Sequence, residues 1–343
     1  ARVEAAAPRG YLPIEGISAY NKGAQRLLLG AGNPLLESGR VLTAQSLGGT
    51  GALKIGADFL KWLKPDAKVV ISNPSWENHR ALFERAGFTV ETYPYYDAAT
   101  HGLDFNGMTA ALNALPEGTI VILHACCHNP TGVDPTFDQW KEIARIIKQR
   151  DLVPFLDIAY QGFGEGIEED AAVVRYFADQ DITMLVSSSF SKSFSLYGER
   201  VGALTLICSS SEEGERVLSQ LKRVIRTNYS NPPTHGGTIV SMVLNTPELY
   251  DLWATELAGM RERIRSMRQQ LVEKLKAEGV NKDFSFVLEQ RGMFSYSGLT
   301  KEQVDRLREE HGVYAVSSGR ICVAALNSRN IDYVAKAIAS VLA

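Results

Sequence analysis

The stretch Met184-Leu185-Val186-Ser187-Ser188-Ser189-Phe190-Ser191-Lys192 decides how the rest of the chain is interpreted. Its apolar beginning is typical of a short buried strand, and serines and one lysine follow where that strand ends. Arg200 comes eight residues after Lys192, ahead of a second apolar run at 201–204. A lysine among hydroxyls is unusual in a buried place. It is explained if the amine attacks an aldehyde while the hydroxyls and Arg200 hold a phosphate, as in an enzyme that uses pyridoxal phosphate.

Three further side chains fit this chemistry around Lys192. Lys192 must be uncharged to attack an aldehyde, and burial and nearby cations lower the pKa of a lysine. Asp157 follows the apolar pair 155–156 and can hold the proton of a pyridine nitrogen, which makes the ring an electron sink. Tyr160 can donate to a ring oxygen, and His79 can support Asp157 from behind. Singly, each has an ordinary structural explanation as well: an exposed lysine, a packed tyrosine, a structural histidine, or, with about equal weight, an aspartate that caps a turn.

Apolar runs alternate with helical patterns through most of the chain. The predicted strands are 69–71, 89–95, 120–124, 152–156, 184–186 and 201–204. Continuous apolar strands alternating with helices predict an α/β fold, with a mostly parallel sheet covered by helices on both faces. Because ligands of such sheets bind at the carboxyl ends of the strands, the polar residues there are expected to meet at one edge.

A long helical pattern from about Pro247 to Glu278 predicts a connection between two domains. We expect a large cofactor-binding domain over residues 1–259 and a smaller α+β domain over residues 260–343. A chain of 343 residues favours this division over one simple core.

Composition excludes several classes of protein. The net charge of -3 and the absence of a basic segment do not suggest a nucleic-acid surface. No apolar run approaches the length of a membrane span. Four cysteines without a CxxC motif favour reduced thiols in a cytoplasmic protein, and we expect no metal site. The chain begins at Ala1 with a helix-like segment, so we expect that residues precede it.

Other polar residues are candidates for holding anions and a flat ring. The turn 48–51 opens a helix, and helix N-termini favour anions, although glycine-rich turns are common. Arg320 and Arg226 can each bind a carboxylate through bidentate hydrogen bonds, so the two together could bind both ends of a dicarboxylate. Trp76 can stack on a flat ring. Each arginine alone is more often a surface charge, and a tryptophan is more often packed in a core.

Together these segments resemble the class I aminotransferases of the pyridoxal-phosphate type I fold, specifically the bacterial aspartate and aromatic amino-acid aminotransferase group. The resemblance runs over essentially the whole chain, and its specificity comes from the order of the motifs. They are Tyr11-Leu12-Pro13-Ile14-Glu15-Gly16, Gly48-Gly49-Thr50-Gly51-Ala52-Leu53, Asn73-Pro74-Ser75-Trp76, Cys126-Cys127-His128-Asn129-Pro130-Thr131-Gly132, Asp157-Ile158-Ala159-Tyr160, Ser189-Phe190-Ser191-Lys192, Leu196-Tyr197-Gly198-Glu199-Arg200, Asn228-Tyr229-Ser230-Asn231-Pro232-Pro233 and Ser318-Gly319-Arg320.

The resemblance implies roles in binding pyridoxal phosphate. Lys192 would bond to the cofactor aldehyde, and Asp157 would pair with the pyridine nitrogen. The other residues implied in cofactor binding are Asn129 and Tyr160 at the ring oxygen, Trp76 on the ring face, and Gly49, Thr50, Ser189 and Arg200 at the phosphate.

The resemblance also implies roles in substrate binding and assembly. Arg320 would clamp the substrate α-carboxylate, with Trp76 and Asn129 close to the substrate. Arg226 would reach a distal carboxylate in the site of a neighbouring subunit, and Tyr11 would touch the neighbour's phosphate. The expected assembly is therefore a homodimer with shared sites.

The expected reaction is a two-step transfer of an amino group from aromatic amino acids, aspartate or both to 2-oxoglutarate. Two alternatives remain open from the residues alone. One is a lyase or decarboxylase with the same cofactor, against which Arg320 and Arg226 argue. The other is a regulator that senses the cofactor or an amino acid, which would need a basic DNA-binding module that the sequence does not show.

Overall fold

The apolar runs form strands in the structure, a computed structural model that describes residues 10–342. In chain order the strands are β1 (Val41–Leu47), β2 (Val69–Asn73), β3 (Val90–Pro94), β4 (Tyr96–Asp97), β5 (Gly102–Leu103), β6 (Ile120–His124), β7 (Val153–Ile158), β8 (Met184–Ser189), β9 (Val201–Ile207), β10 (Phe294–Tyr296) and β11 (Arg320–Cys322).

The helices fall between these strands and in the last third of the chain. They are α1 (Ser18–Leu29), α2 (Gly48–Leu63), α3 (Glu77–Arg85), α4 (Phe105–Ala114), α5 (Phe137–Gln149), α6 (Ala172–Asp179), α7 (Ser211–Asn228), α8 (Thr234–Leu244), α9 (Pro247–Ala277), α10 (Phe286–Glu289), α11 (Lys301–His311) and α12 (Ile331–Leu342). None of the helices within residues 10–342 is long and apolar enough to cross a membrane.

A seven-stranded sheet in the order β1-β9-β8-β7-β6-β2-β3 organises the large part of the chain. Strands β3, β2, β6, β7 and β8 are parallel, and β9 is antiparallel to both of its neighbours. The mostly parallel α/β sheet expected from the sequence is confirmed. The strands predicted from the sequence do not include β1, which ends at Leu47, directly before the glycine-rich turn 48–51.

Side chains of the central strands alternate between two cores on opposite faces of the sheet. In β7, Phe155 packs in one core and Leu156 in the other, and Val121 and Ile122 divide in the same way in β6. Helices α2, α3 and α7 cover the face of Phe155, whereas α1, α4, α5 and α6 cover the opposite face. This two-sided burial is the reason that the strands are continuously apolar.

Helix α2 lies close to the sheet because Gly56 faces it. A Cβ atom at Gly56 would lie 2.6 Å from the Phe155 ring, closer than real contacts permit. The close packing fixes the first turn of α2 at the carboxyl edge of the sheet. The other polar segments end at the same edge, because β1, β2, β6, β7 and β8 all run toward it and β9 starts from it.

Helix α9 carries the chain from the large sheet to a smaller unit. This unit contains the antiparallel pair β10–β11 with α11 and α12, the α+β composition expected from the sequence. Helix α9 runs unbroken through residues 259 and 260. The predicted boundary between domains 1–259 and 260–343 therefore stays a prediction.

Candidate active site

A cavity of about 340 Å³ opens at the carboxyl edge of the sheet. It brings together all of the predicted site residues except Tyr11, Arg226 and the supporting His79, which contacts Asp157 from outside the cavity. Its lining consists of Gly49, Thr50, Trp76, His124, Asn129, Asp157, Ala159, Tyr160, Ser189, Ser191, Lys192, Tyr197, Arg200, Phe294 and Arg320.

A larger cavity of about 730 Å³ lies beside α5, lined by side chains such as Cys126, Trp140 and Arg291. Its lining residues include no lysine. We therefore assign the smaller cavity as the candidate active site, because it contains Lys192 and the larger one does not.

One end of the site is a cradle built from backbone and Arg200. Gly48 has φ +69°, and a Cβ atom there would lie 2.5 Å from Arg200 Nη2. At Gly49, a Cβ atom would lie 3.1 Å from the Cβ of Ser189. Arg200 itself has φ 53° and donates from Nη1 to the carbonyl of Tyr197 at 2.9 Å. The first turn of α2 leaves N–H groups free at this point, so the cradle suits a dianion.

Asp157 is a buried carboxylate held by histidine. It lies near the end of β7, and His79 Nε2 is 2.9 Å from Asp157 Oδ2, while His79 Nδ1 is 3.0 Å from Ser75 Oγ. Burial alone would favour the neutral acid. Burial is the largest single influence, but the hydrogen bond and charge of His79 together with His124 and Lys192 outweigh it, so the pKa of Asp157 lies below its usual value. A carboxylate kept charged in a buried place can pair with a cation.

His124 is a member of the site that sequence reasoning missed. Its Nε2 atom is buried without a hydrogen-bond partner among residues 10–342. Burial, with His128 and His79 nearby, holds the pKa of His124 well below its usual value. Its position at the carboxyl end of β6 is a signal that could have identified it.

Lys192 lies against Tyr160, with Nζ 4.7 Å from the centre of the phenol ring. Burial lowers the pKa of Lys192, and Arg200 lowers it further, although Asp157 opposes the shift. Burial and Asp157 raise the pKa of the Tyr160 phenol well above its usual value, so the hydroxyl keeps its proton. The pair thus offers an amine with lowered basicity beside a hydrogen-bond donor.

Arg320 enters the cavity from β11. Its Nη1 donates to Asn129 Oδ1 at 3.0 Å, and its guanidinium lies 4.5 Å from the centre of the Phe294 ring. Phe294, in turn, meets the Tyr160 ring edge-on at 6.1 Å. Sequence reasoning assigned no role to Phe294 or to Tyr197, because an aromatic side chain alone carries no sign that it lines a site.

Tyr11 and Arg226 lie away from this cavity in their own chain. Tyr11 is 95% exposed, and Arg226 is an exposed residue of α7 that donates to Ser230 Oγ at 2.7 Å. The predicted roles of both residues in a neighbouring subunit stay predictions.

The match to known proteins extends over almost the entire chain. Residues 4–338 match the family described as aminotransferase class I and II. The chain belongs to this family of enzymes. Amino-acid transamination with pyridoxal phosphate, the activity expected from the sequence, is confirmed at this level.

Individual relatives fall into the two groups that the sequence resembles. An aspartate aminotransferase of Pseudomonas aeruginosa is 66% identical over 342 residues, which cover 100% of this chain and 86% of that protein. The aromatic-amino-acid aminotransferase of Escherichia coli is 55% identical over 332 residues, covering 97% of this chain and 84% of that protein. A crystal structure of an aromatic-amino-acid aminotransferase from Burkholderia pseudomallei, covalently bound to pyridoxal phosphate, is similar with a TM-score of 0.98. Its sequence is 69% identical, and the match covers 100% of this chain and 86% of that one.

Proposed function

We propose that the chain transfers the amino group of aspartate, aromatic amino acids or both to 2-oxoglutarate, in two half-reactions at one site. The observation that carries this proposal is the position of Lys192. Its amine, with a pKa lowered by burial, shares one cavity with the charged carboxylate of Asp157 and with the guanidinium groups of Arg200 and Arg320. One nucleophilic amine, one anionic partner for a ring cation and two anion-binding arginines are the groups that transamination requires.

The residues present fit pyridoxal phosphate. The cradle around Gly48 has room for a phosphate only because no Cβ atom fills it, and Arg200 lies at its edge. When bound, the cofactor supplies an aldehyde and a ring that withdraws electrons from the reacting carbon. Gly49, Thr50, Ser189 and Arg200 would hold the phosphate.

At the ring, Asp157 would hold the pyridine proton, and His79 would orient the carboxylate through its 2.9 Å hydrogen bond. Tyr160 and Asn129 would donate to the ring oxygen, and Trp76 would stack on the ring face.

Lys192 would act first as the nucleophile and then as the general base. As general base, its Nζ would accept the proton from the substrate Cα and hold it beside the bound cofactor. A lowered pKa favours this role, because an amine that is protonated at neutral pH cannot accept a proton. Tyr160, at 4.7 Å, limits the positions open to the amine.

Arg320 would clamp the α-carboxylate of every substrate. Its hydrogen bond to Asn129 and its contact with the Phe294 ring fix the guanidinium plane before substrate arrives. A preorganised fork holds a carboxylate in one orientation, which places the Cα–H bond toward Lys192.

The homodimer with shared sites and the cytoplasmic location belong to the proposal too. Exposure of Tyr11 and Arg226, and their distance from the cavity of their own chain, support a role in the neighbouring site. Arg226 would bind the distal carboxylate of aspartate and of 2-oxoglutarate. An aromatic donor would require this arginine to move aside or to be screened.

A donor panel tests the function. Purified enzyme is assayed with aspartate, tyrosine, phenylalanine and leucine, each with 2-oxoglutarate, and glutamate is measured. We expect turnover with aspartate or with the aromatic donors, and little with leucine. No glutamate from any of the four donors would sink the proposed function.

The variant Arg226→Leu tests the distal contact. Loss of a charged hydrogen bond costs about 1.5–3 kcal/mol, so kcat/KM for aspartate should fall about 10- to 100-fold. Because phenylalanine has no distal carboxylate, kcat/KM for the phenylalanine half-reaction, measured by single-turnover kinetics without 2-oxoglutarate, should change little. Equal losses for both donors would contradict the assignment of Arg226.

A further inference from the structure

Arg268 is a buried cation that the proposed reaction does not use. This residue of α9 is 2% exposed. Its guanidinium donates to three backbone carbonyls: Val287 at 3.2 Å, Gly292 at 2.8 Å and Phe294 at 2.6 Å. Burial lowers the pKa of Arg268 to about 10, so it still carries its charge at neutral pH. Burying a charge is costly, and an apolar side chain would fill the same space without that cost.

Two of the three carbonyls that Arg268 binds, those of Gly292 and Phe294, belong to the segment 292–294, which packs against the loop that carries Asn129. A Cβ atom at Gly132 would lie 2.9 Å from the carbonyl oxygen of Phe294. The backbone N–H of Arg291 donates to the carbonyl of Gly132 at 2.7 Å. This segment is therefore confined between Arg268 on one side and the Asn129 loop on the other.

The side chain of Phe294 extends from this segment into the active site. Its ring supports the Arg320 guanidinium at 4.5 Å, and Arg320 also donates to Asn129. Both contacts of Arg320 are therefore connected to the segment 292–294. Phe294 belongs to this segment, and Asn129 lies in the loop that packs against it.

We propose that Arg268 is a positioning residue for the substrate carboxylate, acting through Phe294 on Arg320. This inference rests on the proposed role of Arg320 as the α-carboxylate clamp. The planar fork of arginine can donate to three carbonyls in different directions at once, which the single ammonium of lysine cannot reproduce with the same geometry. The buried charge of Arg268 fixes the backbone of the segment 292–294, and the Phe294 ring of this segment supports the guanidinium of Arg320.

The test measures carboxylate binding to the holoenzyme with 3-phenylpropanoate. This probe has one carboxylate, lacks an amino group and does not depend on Arg226. We expect Arg268→Met to weaken its binding about tenfold by calorimetry, and Arg268→Lys to weaken it by a smaller factor. KM for the amino acid and for the oxo acid should rise together, with kcat within threefold of wild type. Should Arg268→Met fail to fold, Arg268→Lys carries the same test.

Arg263 provides the matched control. It lies on the same helix and also donates to two backbone carbonyls, those of Leu326 at 2.8 Å and Ala324 at 2.7 Å. These residues follow β11, and their contact with the segment 292–294 is a longer hydrogen bond of 3.3 Å from the N–H of Ala324 to the carbonyl of Met293. Arg263→Met should lower the melting temperature without changing probe affinity. If Arg263→Met weakens the probe as much as Arg268→Met, or if Arg268→Met lowers only the melting temperature, the inference is overturned.

A double variant separates this inference from the proposed function. Arg320→Lys should weaken the probe by itself, and adding Arg268→Met should change its affinity less than twofold further, because the route through Arg320 is already lost. Full additivity would show that Arg268 acts elsewhere and would overturn the inference. Unchanged affinity in Arg320→Lys would instead refute the role of Arg320, from which the inference starts.

Discussion

Gly48→Ala probes the phosphate cradle at its tightest point. Gly48 has φ +69°, and a left-handed backbone costs a residue with a side chain about 1–2 kcal/mol. The new methyl group would lie 2.5 Å from Arg200 Nη2 and 3.0 Å from Arg200 Cζ. The guanidinium is the far end of a flexible side chain, so we expect it to move away from the new methyl group while the backbone conformation stays the same.

The displacement of Arg200 sets the size of the effect. Loss of one hydrogen bond to a charged group costs about 1.5–3 kcal/mol, which is about a 10- to 100-fold loss of affinity. Apoenzyme titrated with pyridoxal phosphate should show this loss, and urea unfolding of the apoenzyme should show the separate backbone cost of about 1–2 kcal/mol.

Gly259→Ala is the control, since Gly259 lies in α9 and a Cβ atom there meets nothing within 4 Å. It should leave cofactor affinity unchanged and stabilise the chain by up to about 1 kcal/mol. If Gly48→Ala is destabilised as expected but binds pyridoxal phosphate within twofold of wild type, Arg200 does not hold the phosphate and the cradle is wrongly assigned.

Two further predictions concern the reacting amine and a buried imidazole. Lys192→Ala should abolish turnover and the visible absorbance of covalently bound cofactor, whereas full activity in this variant would reject the assignment. Burial holds the pKa of His128 well below its usual value, so the unfolded chain binds a proton there below about pH 6.5 that the folded chain does not. The neutral imidazole of His128 therefore stabilises the folded chain above about pH 6.5, and this stabilisation is lost as pH falls. Between pH 7.5 and 5.5 the wild-type apoenzyme should therefore lose about 1 kcal/mol more unfolding free energy than His128→Gln, measured with urea; identical losses would contradict the buried neutral imidazole.

The convergence of the polar residues was predictable because it follows from one topological fact. Parallel strands end at the same edge, so Asp157 and Ser189 meet there although they lie 32 positions apart in the sequence. The prediction placed Asp157 just past its strand, whereas it lies within β7, paired with His124 of β6. The predicted strand ends at residue 156 and β7 ends at Ile158, a difference of two residues. The side chain of Asp157 lies at the carboxyl edge of the sheet in either case, so the prediction of the site did not depend on the strand bounds.

The antiparallel course of β9 was not predictable in the same way. Its apolar run, Val201 to Ile207, reads like those of the parallel strands, because all of them are buried on both faces. Direction depends on the short connection through Lys192 and Arg200, which returns the chain to the same edge without a crossover helix. That reversal places Arg200 next to Gly48.

The sequence by itself determined the order of strands and helices and the chemical identity of the reacting groups. These features are local. The apolar periodicity, the turn residues and the segment around Lys192 are each visible in a few neighbouring residues. Only the tertiary structure decided that Phe294 and Arg268 belong to the site and its support. Phe294 meets Tyr160 and the Asn129 loop, which are more than 100 residues away in the sequence, and Arg268 acts on the site only through the segment of Phe294. An aromatic ring or a buried arginine has no local pattern that reveals what it supports.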